Sequence, residues 1–317
     1  MRDLIGLTLI LIAGALGYWL FPDNLALLTR VIAVALLVLS LDLITGYCGV
    51  ASLGQAALFG AGAYAAGIAC VRGGIAEPLS LIGVGMIAGA AAGLVMGAVM
   101  LRAHGLAQLV LSIAIVQLAH ETANKASAYT GGSDGLAGLV VNPLFGLYAF
   151  DLWGRTAYLF GLALLVIAFI ILRFVVTSPF GMLCRGIKQD PVRVRAMGAF
   201  TVPVVLKMFV ISGAVAGMGG ALAAISTQVV GLDSVSFELS ANALVMLVLG
   251  GLGSLYGALI GTVIFMGFEH VVSAINPFHW MTMVGALLIA VVLAAPGGVG
   301  ELLEKVARLA GSTRGQP

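Results

Sequence analysis

Charged residues are scarce in this sequence. Of 317 residues, 15 are Lys or Arg and 13 are Asp or Glu, so charged side chains make up 9% of the chain. A soluble globular domain averages about 25%. Hydrophobic residues make up 61%, and a formal net charge of +2 is too small to indicate a nucleic-acid partner. The composition excludes a water-soluble fold and predicts an all-α integral membrane protein within a lipid bilayer.

Cysteine and histidine are also rare, and the motifs of several chemistries are missing. The three cysteines, Cys48, Cys70 and Cys184, have no paired spacing that would indicate a disulfide framework, and the four histidines form no HExxH motif. No glycine is followed directly by lysine, so a P-loop for ATP is absent. We therefore predict no metal site, no cofactor and no enzymatic activity; any ATP would bind to partner subunits.

Apolar runs of about 20 residues, the length that a bilayer requires, occur throughout the chain. Arg2 before the first run is compatible with a signal peptide, but the run is long and no small-x-small cleavage site follows it, so we predict a retained helix. We predict ten membrane passages in a single transmembrane domain, residues 1–317. Five are uninterrupted: Leu4–Phe21, Leu27–Thr45, Ser80–Leu101, Ala157–Val176 and Val204–Ile225. Five are interrupted by Gly, Ser or polar residues: Leu53–Val71, Leu106–Asn124, Leu239–Leu252, Leu255–Ala274 and Trp280–Ala295.

The loop at residues 177–203 fixes the predicted orientation. It carries Arg185, Lys188, Arg193 and Arg195 with Asp190 as its only acid, and Lys and Arg concentrate on the cytoplasmic side of membrane proteins. The tail at residues 301–317 is also basic, and an even number of passages separates the two segments. Both termini are therefore predicted to be cytoplasmic, with residues 124–155 and 226–238 outside.

Two glycine-rich interruptions have a similar composition. We call Gly46 to Gln55 the first break and Gly250 to Ser254 the second break. Non-helical backbone is tolerated at membrane depth only where protein buries it or water lines it, so matching breaks in two pseudo-repeated halves indicate a transport path. The alternative is that these glycines serve close helix packing, as the GxxxG spacing of Gly89, Gly93 and Gly97 does.

Polar side chains in and near the breaks are the predicted lining of that path. An ionisable residue within a span is costly and is by default functional. Asp42, at the end of the second span, either holds a substrate ammonium or braces the broken backbone, and bracing is the favoured interpretation. The predicted lining residues are Asp42, Ser52, Gln55, Asn242 and Ser254.

Four motifs occur in order along the chain: SLGQAALFGAGAY (Ser52–Tyr64), TGGSDGL (Thr130–Leu136), SPFGMLCRGIKQDPVRVRAMG (Ser178–Gly198) and LVLGGLGSLYGALIG (Leu247–Gly261). Together they resemble, in the same order, the motifs of LivM-type permeases of branched-chain amino-acid ABC importers. The resemblance covers nearly the whole chain. It implies a bacterial-type inner-membrane subunit that works with a second homologous permease, two cytoplasmic ATPases and an extracytoplasmic solute-binding protein.

The resemblance also assigns roles to two of these motifs. It implies that residues 181–198 form the coupling helix that contacts the ATPase, and that Thr130, Ser133 and Asp134 face the binding protein, although a plain turn also explains Gly131 and Gly132. Pro191 departs from the family pattern and would end or kink a helix unless it begins a second turn, and Gly186 stands where alanine is usual. The predicted ATPase-contacting residues are Arg185, Ile187, Lys188, Asp190, Arg193, Ala196, Met197 and Gly198.

The implied function is import of leucine, isoleucine, valine or a similar small polar solute. Related permeases carry urea or short amides, which is one alternative. A second alternative is a secondary transporter driven by an ion gradient, with Asp42 and Glu269 as the coupling groups. It is disfavoured because such transporters usually commit several intramembrane ionisable groups to the ion. A passive channel is the third.

Overall fold

The computed structural model describes residues 24–143 and 154–275 continuously, together with residues 12, 14–19, 148, 282, 283, 285, 286 and 289. The predicted first and tenth passages, Leu4–Phe21 and Trp280–Ala295, lie mostly outside the described residues. The predicted cytoplasmic tail, residues 301–317, lies entirely outside them.

The described chain is a bundle of α-helices, as the composition predicts. The helices are α1 (Leu25–Leu41, continued by a π-helical segment Asp42–Tyr47), α2 (Gln55–Val71), α3 (Pro78–Met100), α4 (Leu106–Lys125), α5 (Arg155–Thr177), α6 (Pro179–Gln189), α7 (Pro191–Ala196), α8 (Thr201–Thr227), α9 (Phe237–Gly250) and α10 (Leu255–Ile275). Short helical turns cover Ser127–Thr130, Gly132–Asp134 and Leu232–Val235. Two-residue strands, β1 (Leu136–Ala137) and β2 (Val229–Val230), pair antiparallel with Leu136 opposite Val230.

Six of the described helices are long and apolar enough to cross a membrane: α1 with its π-helical end, α3, α4, α5, α8 and α10. The apolar helices α2 and α9 are shorter, at 17 and 14 residues, whereas a full crossing takes about 20. These eight helices coincide with the eight predicted passages that fall on described residues. The predicted all-α membrane fold is therefore confirmed.

The two short helices are the ones that adjoin the breaks. Helix α2 begins at Gln55, directly after the first break, and α9 ends at Gly250, at the second. The other end of α9 follows the turn Leu232–Val235, which packs against Gly60 of α2, where an added methyl group would lie 3.0 Å from the Ser234 carbonyl oxygen. The chain therefore re-enters the bundle before α9 starts, which explains why α9 is too short to span.

Close packing of α3 against α8 forms the centre of the bundle. Methyl groups added at Gly89 and Gly213 would each overlap the other helix's backbone, and one added at Gly217 would meet the Gly85 carbonyl. Small residues at this spacing let two helix backbones approach closely in a membrane protein. The predicted packing role of the GxxxG glycines on α3 is confirmed.

Helix α8 extends from one end of the bundle to the other. Its 27 residues extend for about 40 Å at 1.5 Å per residue. Helices α6 and α7 precede α8 in the chain, and strand β2 follows its last residue. The segment predicted to meet the ATPase and the segment TGGSDGL, which leads into β1, therefore lie at opposite ends.

Candidate functional site: the two breaks and the coupling segment

The two breaks contact each other through Asp42. Its Oδ1 accepts a hydrogen bond from the Gly253 backbone N–H at 2.7 Å, and the side chain is completely buried. Gly46 packs on the same residue, because an added methyl group there would lie 2.6 Å from the Gly253 nitrogen. Gly253 itself has φ of +81°, a conformation that favours glycine. The two breaks therefore form one junction, and Asp42 Oδ1 braces it.

The second oxygen of Asp42 has different surroundings. Oδ2 is buried and has no hydrogen-bond partner among the described residues. A buried carboxylate oxygen without a partner is energetically unfavourable. The ammonium of Lys188 acts electrostatically on this carboxylate. The junction therefore holds one acceptor that is not committed to the backbone.

Three serines satisfy the backbone amides of the first break and of the start of α2. Leu53 N–H donates to Ser112 Oγ at 2.9 Å, and Gly54 N–H donates to Ser52 Oγ at 3.1 Å. Ala56 N–H donates to Ser240 Oγ at 2.9 Å. The first amides of a helix have no intrahelical acceptor and are costly to bury unpaired. Ser112 on α4 and Ser240 on α9 were not predicted from the sequence. The only sequence feature that could have indicated them is that each is a serine within an apolar span.

Gln55 ties three helices together at the same level. Its Nε2 donates to Ser40 Oγ on α1 at 2.9 Å and to Ser212 Oγ on α8 at 2.5 Å. Both hydroxyls already donate to backbone carbonyls, Ser40 to Leu37 and Ser212 to Ser40, so they can only accept from Gln55. The amide orientation is fixed by this arrangement, and Oε1 is left buried without a partner among the described residues.

The other two predicted lining residues are half-buried. Ser254 Oγ accepts the Gly257 N–H at 3.2 Å and so caps the start of α10, while Asn242 lies on α9, away from its end at the second break. The structure brings Asp42 into contact with Gly253, the residue before Ser254. Gln55 is the first residue of α2, and Ser52 lies three residues before it. Contact of these side chains with a solute stays a prediction.

Helix α6 is attached to the first break. Lys188 Nζ donates to the Gly46 carbonyl at 2.7 Å, and the guanidinium carbon of Arg185 lies 5.1 Å from the centroid of the Tyr47 ring. The neighbouring Cys184 thiol, together with burial, raises the pKa of the Cys48 thiol above its ordinary value. One face of α6 is thus bound to the segment that begins the first break.

Residues 181–198, which the resemblance implies form the coupling helix, lie on two helices, and the alternative that Pro191 begins a second turn is confirmed. Helix α6 ends at Gln189 and α7 begins at Pro191, because proline favours an extended residue before it and fits the first position of a helix. Asp190 between them is extended, with φ of −156°, and its Oδ1 accepts the N–H groups of Val192 and Arg193 at 2.9 and 3.0 Å. Pro191 therefore begins a second helix, and Asp190 caps it.

Comparison with known families agrees with this architecture. The family described as "Branched-chain amino acid transport system / permease component" matches residues 24–292. The chain belongs to this family. The permease is 24% identical over 314 residues to the high-affinity branched-chain amino acid transport system permease protein LivM of Salmonella typhimurium strain LT2, covering 92% of this chain and 73% of the relative. LivM of Escherichia coli strain K12 gives 24% identity over 316 residues with the same coverage. No solved structure matches. The chain is thus a multi-pass transport subunit of the membrane rather than an enzyme.

Residues 181–198, the predicted coupling segment, are only partly exposed to solvent. Ile187, a predicted ATPase contact, is 8% exposed and packs in the core of the permease itself, as does Val194. The exposed apolar side chains are Met182, Val192 and Met197, of which only Met197 was predicted. The other predicted contacts differ in exposure: Asp190 is half-buried, whereas Arg185, Lys188, Arg193, Ala196 and Gly198 are exposed.

The motif TGGSDGL forms a tight turn in which Thr130 and Leu136 are buried and two side chains are exposed. Thr130 is buried, and its hydroxyl donates towards the Ala123 and Ala126 carbonyls while accepting the Gly132 N–H. Ser133 and Asp134 are exposed. Gly131, with φ of +79°, leaves no room for a side chain beside Gly135. Thr130 thus holds the turn, while a role in docking the binding protein stays a prediction for all three residues.

Helix α4 carries an exposed polar face. Among the six candidate spans it is both the least apolar and the least buried. Gln117 and Glu121, one turn apart, are exposed on it, and Lys125 follows one turn later. Amide and carboxylate groups are costly against lipid, so this face of the permease requires protein or water beside it.

Proposed function

We propose that this permease forms the translocation path for branched-chain amino acids in an ATP-driven importer. ATP binds to two separate cytoplasmic ATPase subunits, and an extracytoplasmic binding protein delivers the solute. Membership of the permease family supports this assignment, and the printed names of both relatives state branched-chain amino acid transport for those proteins.

The contact between α6 and the first break is the observation that carries the proposal. A transport subunit driven by ATP elsewhere needs a cytoplasmic element joined to its path. Lys188 and Arg185 join α6 to Gly46 and Tyr47, and Asp42 joins that segment to the second break. A cytoplasmic partner that moves α6 would therefore act on both breaks.

The proposed orientation puts both termini and the loop at residues 177–203 in the cytoplasm of a bacterial-type cell, with the permease in the inner membrane. The positive charge of that loop supports it. Asp233 and Glu238, the acids of residues 226–238, then face outward together with Ser133 and Asp134.

A second homologous permease completes the proposed path. The exposed polar face of α4, with Gln117 and Glu121, supports this arrangement because a wall shared by two permeases gives those side chains water or protein instead of lipid. A zwitterionic amino acid needs only modest binding there, since selectivity rests with the binding protein in this scheme.

The ion-coupled alternative is less well supported by the arrangement of its two candidate acids. Asp42 Oδ1 is committed to the Gly253 amide, and Glu269 is half-buried near the cation of Arg30. Carriage of urea or short amides is the remaining alternative, and it requires a comparison of substrates.

The test is uptake into proteoliposomes that contain the permease with its co-expressed partner subunits and binding protein. We expect ATP inside the vesicles to drive accumulation of radiolabelled leucine, and a non-hydrolysable ATP analogue to abolish it. Unlabelled isoleucine and valine should compete with leucine, whereas urea and acetamide should not. Accumulation driven by an ion gradient without ATP would contradict the proposal.

A further inference from the structure

Lys188 is exposed and lies on the segment predicted to contact the ATPase, yet its ammonium binds the permease itself. Its ammonium donates to the Gly46 carbonyl at 2.7 Å, across 142 residues of chain. The stem of the same side chain covers Gly49, where an added methyl group would lie 2.7 Å from Lys188 Cγ. Lys188 therefore holds the first break at its beginning, by a charge-assisted hydrogen bond and by packing.

Gly46 is in turn in contact with the second break. Its backbone packs against the Gly253 nitrogen, and the N–H on that nitrogen donates to Asp42 Oδ1. Asp42 lies one helical turn before Gly46 in the same π-helical segment, Asp42–Tyr47. A continuous series of short contacts thus runs from Lys188 to Gly46 and then to Gly253 and Asp42.

We infer that Lys188 is a positioning residue that transmits movement of α6 to both breaks, with Asp42 as the link between them. The inference rests on the proposed function, because it supposes that an ATPase moves α6. It gives Lys188 a role inside the permease instead of the ATPase contact predicted from the motif. The direct surface for the ATPase is then the exposed apolar set Met182, Val192 and Met197.

Lys188→Met tests this assignment, because methionine keeps most of the length of lysine and removes the donor. Lys207→Met is the matched control, since Lys207 is an exposed lysine near the start of α8, at the same end of the bundle. Lys188→Arg keeps a cationic donor. Each variant is reconstituted with the partner subunits, and leucine uptake, ATP hydrolysis and subunit assembly are measured together.

We expect Lys188→Met to lower leucine uptake per ATP hydrolysed by about tenfold, within the usual range of coupling between sites. Assembly and the rate of ATP hydrolysis should stay at the wild-type level. Lys188→Arg should recover most of the uptake, and Lys207→Met should behave as wild type. An unchanged ratio of uptake to hydrolysis in Lys188→Met overturns the inference and leaves the proposed function intact.

Two other outcomes are also decisive. Loss of assembly or of ATP hydrolysis in a folded Lys188→Met variant would show a direct ATPase contact and would overturn the positioning role. Uptake by the wild-type complex without ATP would overturn the proposed function itself, and the inference with it. The wild-type control therefore separates the two failures.

The native cysteines give an independent measurement if Lys188→Met does not fold. Cys184 on α6 and Cys48 in the first break are neighbouring thiols, so copper phenanthroline with oxygen should oxidise them to one disulfide in a Cys70→Ser background. We expect the cross-link to stop uptake while ATP hydrolysis continues, and dithiothreitol to restore uptake. Normal uptake by the cross-linked protein would overturn the inference. Cys184→Ser is the control, and its leucine uptake should not change on treatment with the oxidant.

Discussion

Asp42 and Gly253 are joined by a hydrogen bond of 2.7 Å across 211 residues of chain. The acceptor lies at the π-helical end of α1, and the donor is the backbone N–H of Gly253 in the second break. This bond brings together two interruptions that the sequence shows only as separate glycine-rich segments. It also separates the two roles considered for Asp42, because a brace needs an oxygen acceptor whereas an ammonium site needs a negative charge.

Replacement of Asp42 distinguishes these roles. Asn keeps an oxygen in the position of Oδ1 and removes the charge, so Asp42→Asn should retain ATP-driven uptake if the brace is what matters. Asp42→Ala leaves the Gly253 amide unpaired, which costs about 1–3 kcal/mol, and should lower uptake by about tenfold or more. Leucine uptake with ATP hydrolysis as the reference measures both.

The opposite ranking would identify Asp42 as a charge site. If Asp42→Asn fails as completely as Asp42→Ala while both variants remain folded and assembled, the brace is not sufficient and the uncommitted Oδ2 becomes the important atom. Protein recovered as a single peak in size-exclusion chromatography establishes the folding of each variant.

The membrane fold and the location of the breaks could be predicted from sequence because both depend on local composition. Apolar runs define the helices, and Gly46 to Gln55 and Gly250 to Ser254 interrupt them. The contact between Asp42 and Gly253 could not be predicted, since nothing in either segment specifies its partner. The same holds for Ser112 and Ser240, whose hydroxyls accept hydrogen bonds from the amides of Leu53 and Ala56.

The coupling segment shows a different limit of sequence reasoning. Its positive charge and its motif predicted a cytoplasmic segment, but periodicity alone did not show which side faces inward. Ile187 and Lys188 are adjacent, yet one is buried in the core and the other binds Gly46. Tertiary packing against the first break decides both, and Pro191 decided the division into α6 and α7.

The glycines of α3 offer a test of close packing with a control on the same helix. Gly89→Ala places a methyl group against the Gly213 backbone, whereas Gly83→Ala has open space around it. Overpacking costs about 1–3 kcal/mol, while an unhindered Gly→Ala change in a helix gains about 0.5–1 kcal/mol. Gly89→Ala should therefore lower the thermal unfolding temperature in detergent, and Gly83→Ala should leave it unchanged or raise it. Equal stability of the two variants would argue against tight α3–α8 contact.

Two apolar residues of the coupling segment should behave in opposite ways. Ile187 is buried, so Ile187→Ala should destabilise the permease by about 2–5 kcal/mol. Met197 is 75% exposed, so Met197→Glu should leave its unfolding temperature unchanged and reduce recovery of the ATPase subunits with it. Thermal unfolding and quantitative co-purification measure the two effects. Full recovery of the ATPase with Met197→Glu would exclude this exposed side chain from the interface.

The turn TGGSDGL separates a structural residue from a surface residue in the same way. Thr130→Val removes a buried hydroxyl that both donates and accepts, which should destabilise the turn by about 1–3 kcal/mol. Asp134→Ala changes an exposed side chain and should leave stability unchanged while weakening attachment of the solute-binding protein. The affinity of that protein for the permease complex in nanodiscs, measured by surface plasmon resonance, tests the second effect. Because a rim charge acts mainly on association rate, Asp134→Ala should slow association more than it speeds dissociation. An unchanged rate would mean that the binding protein docks elsewhere on the outer surface.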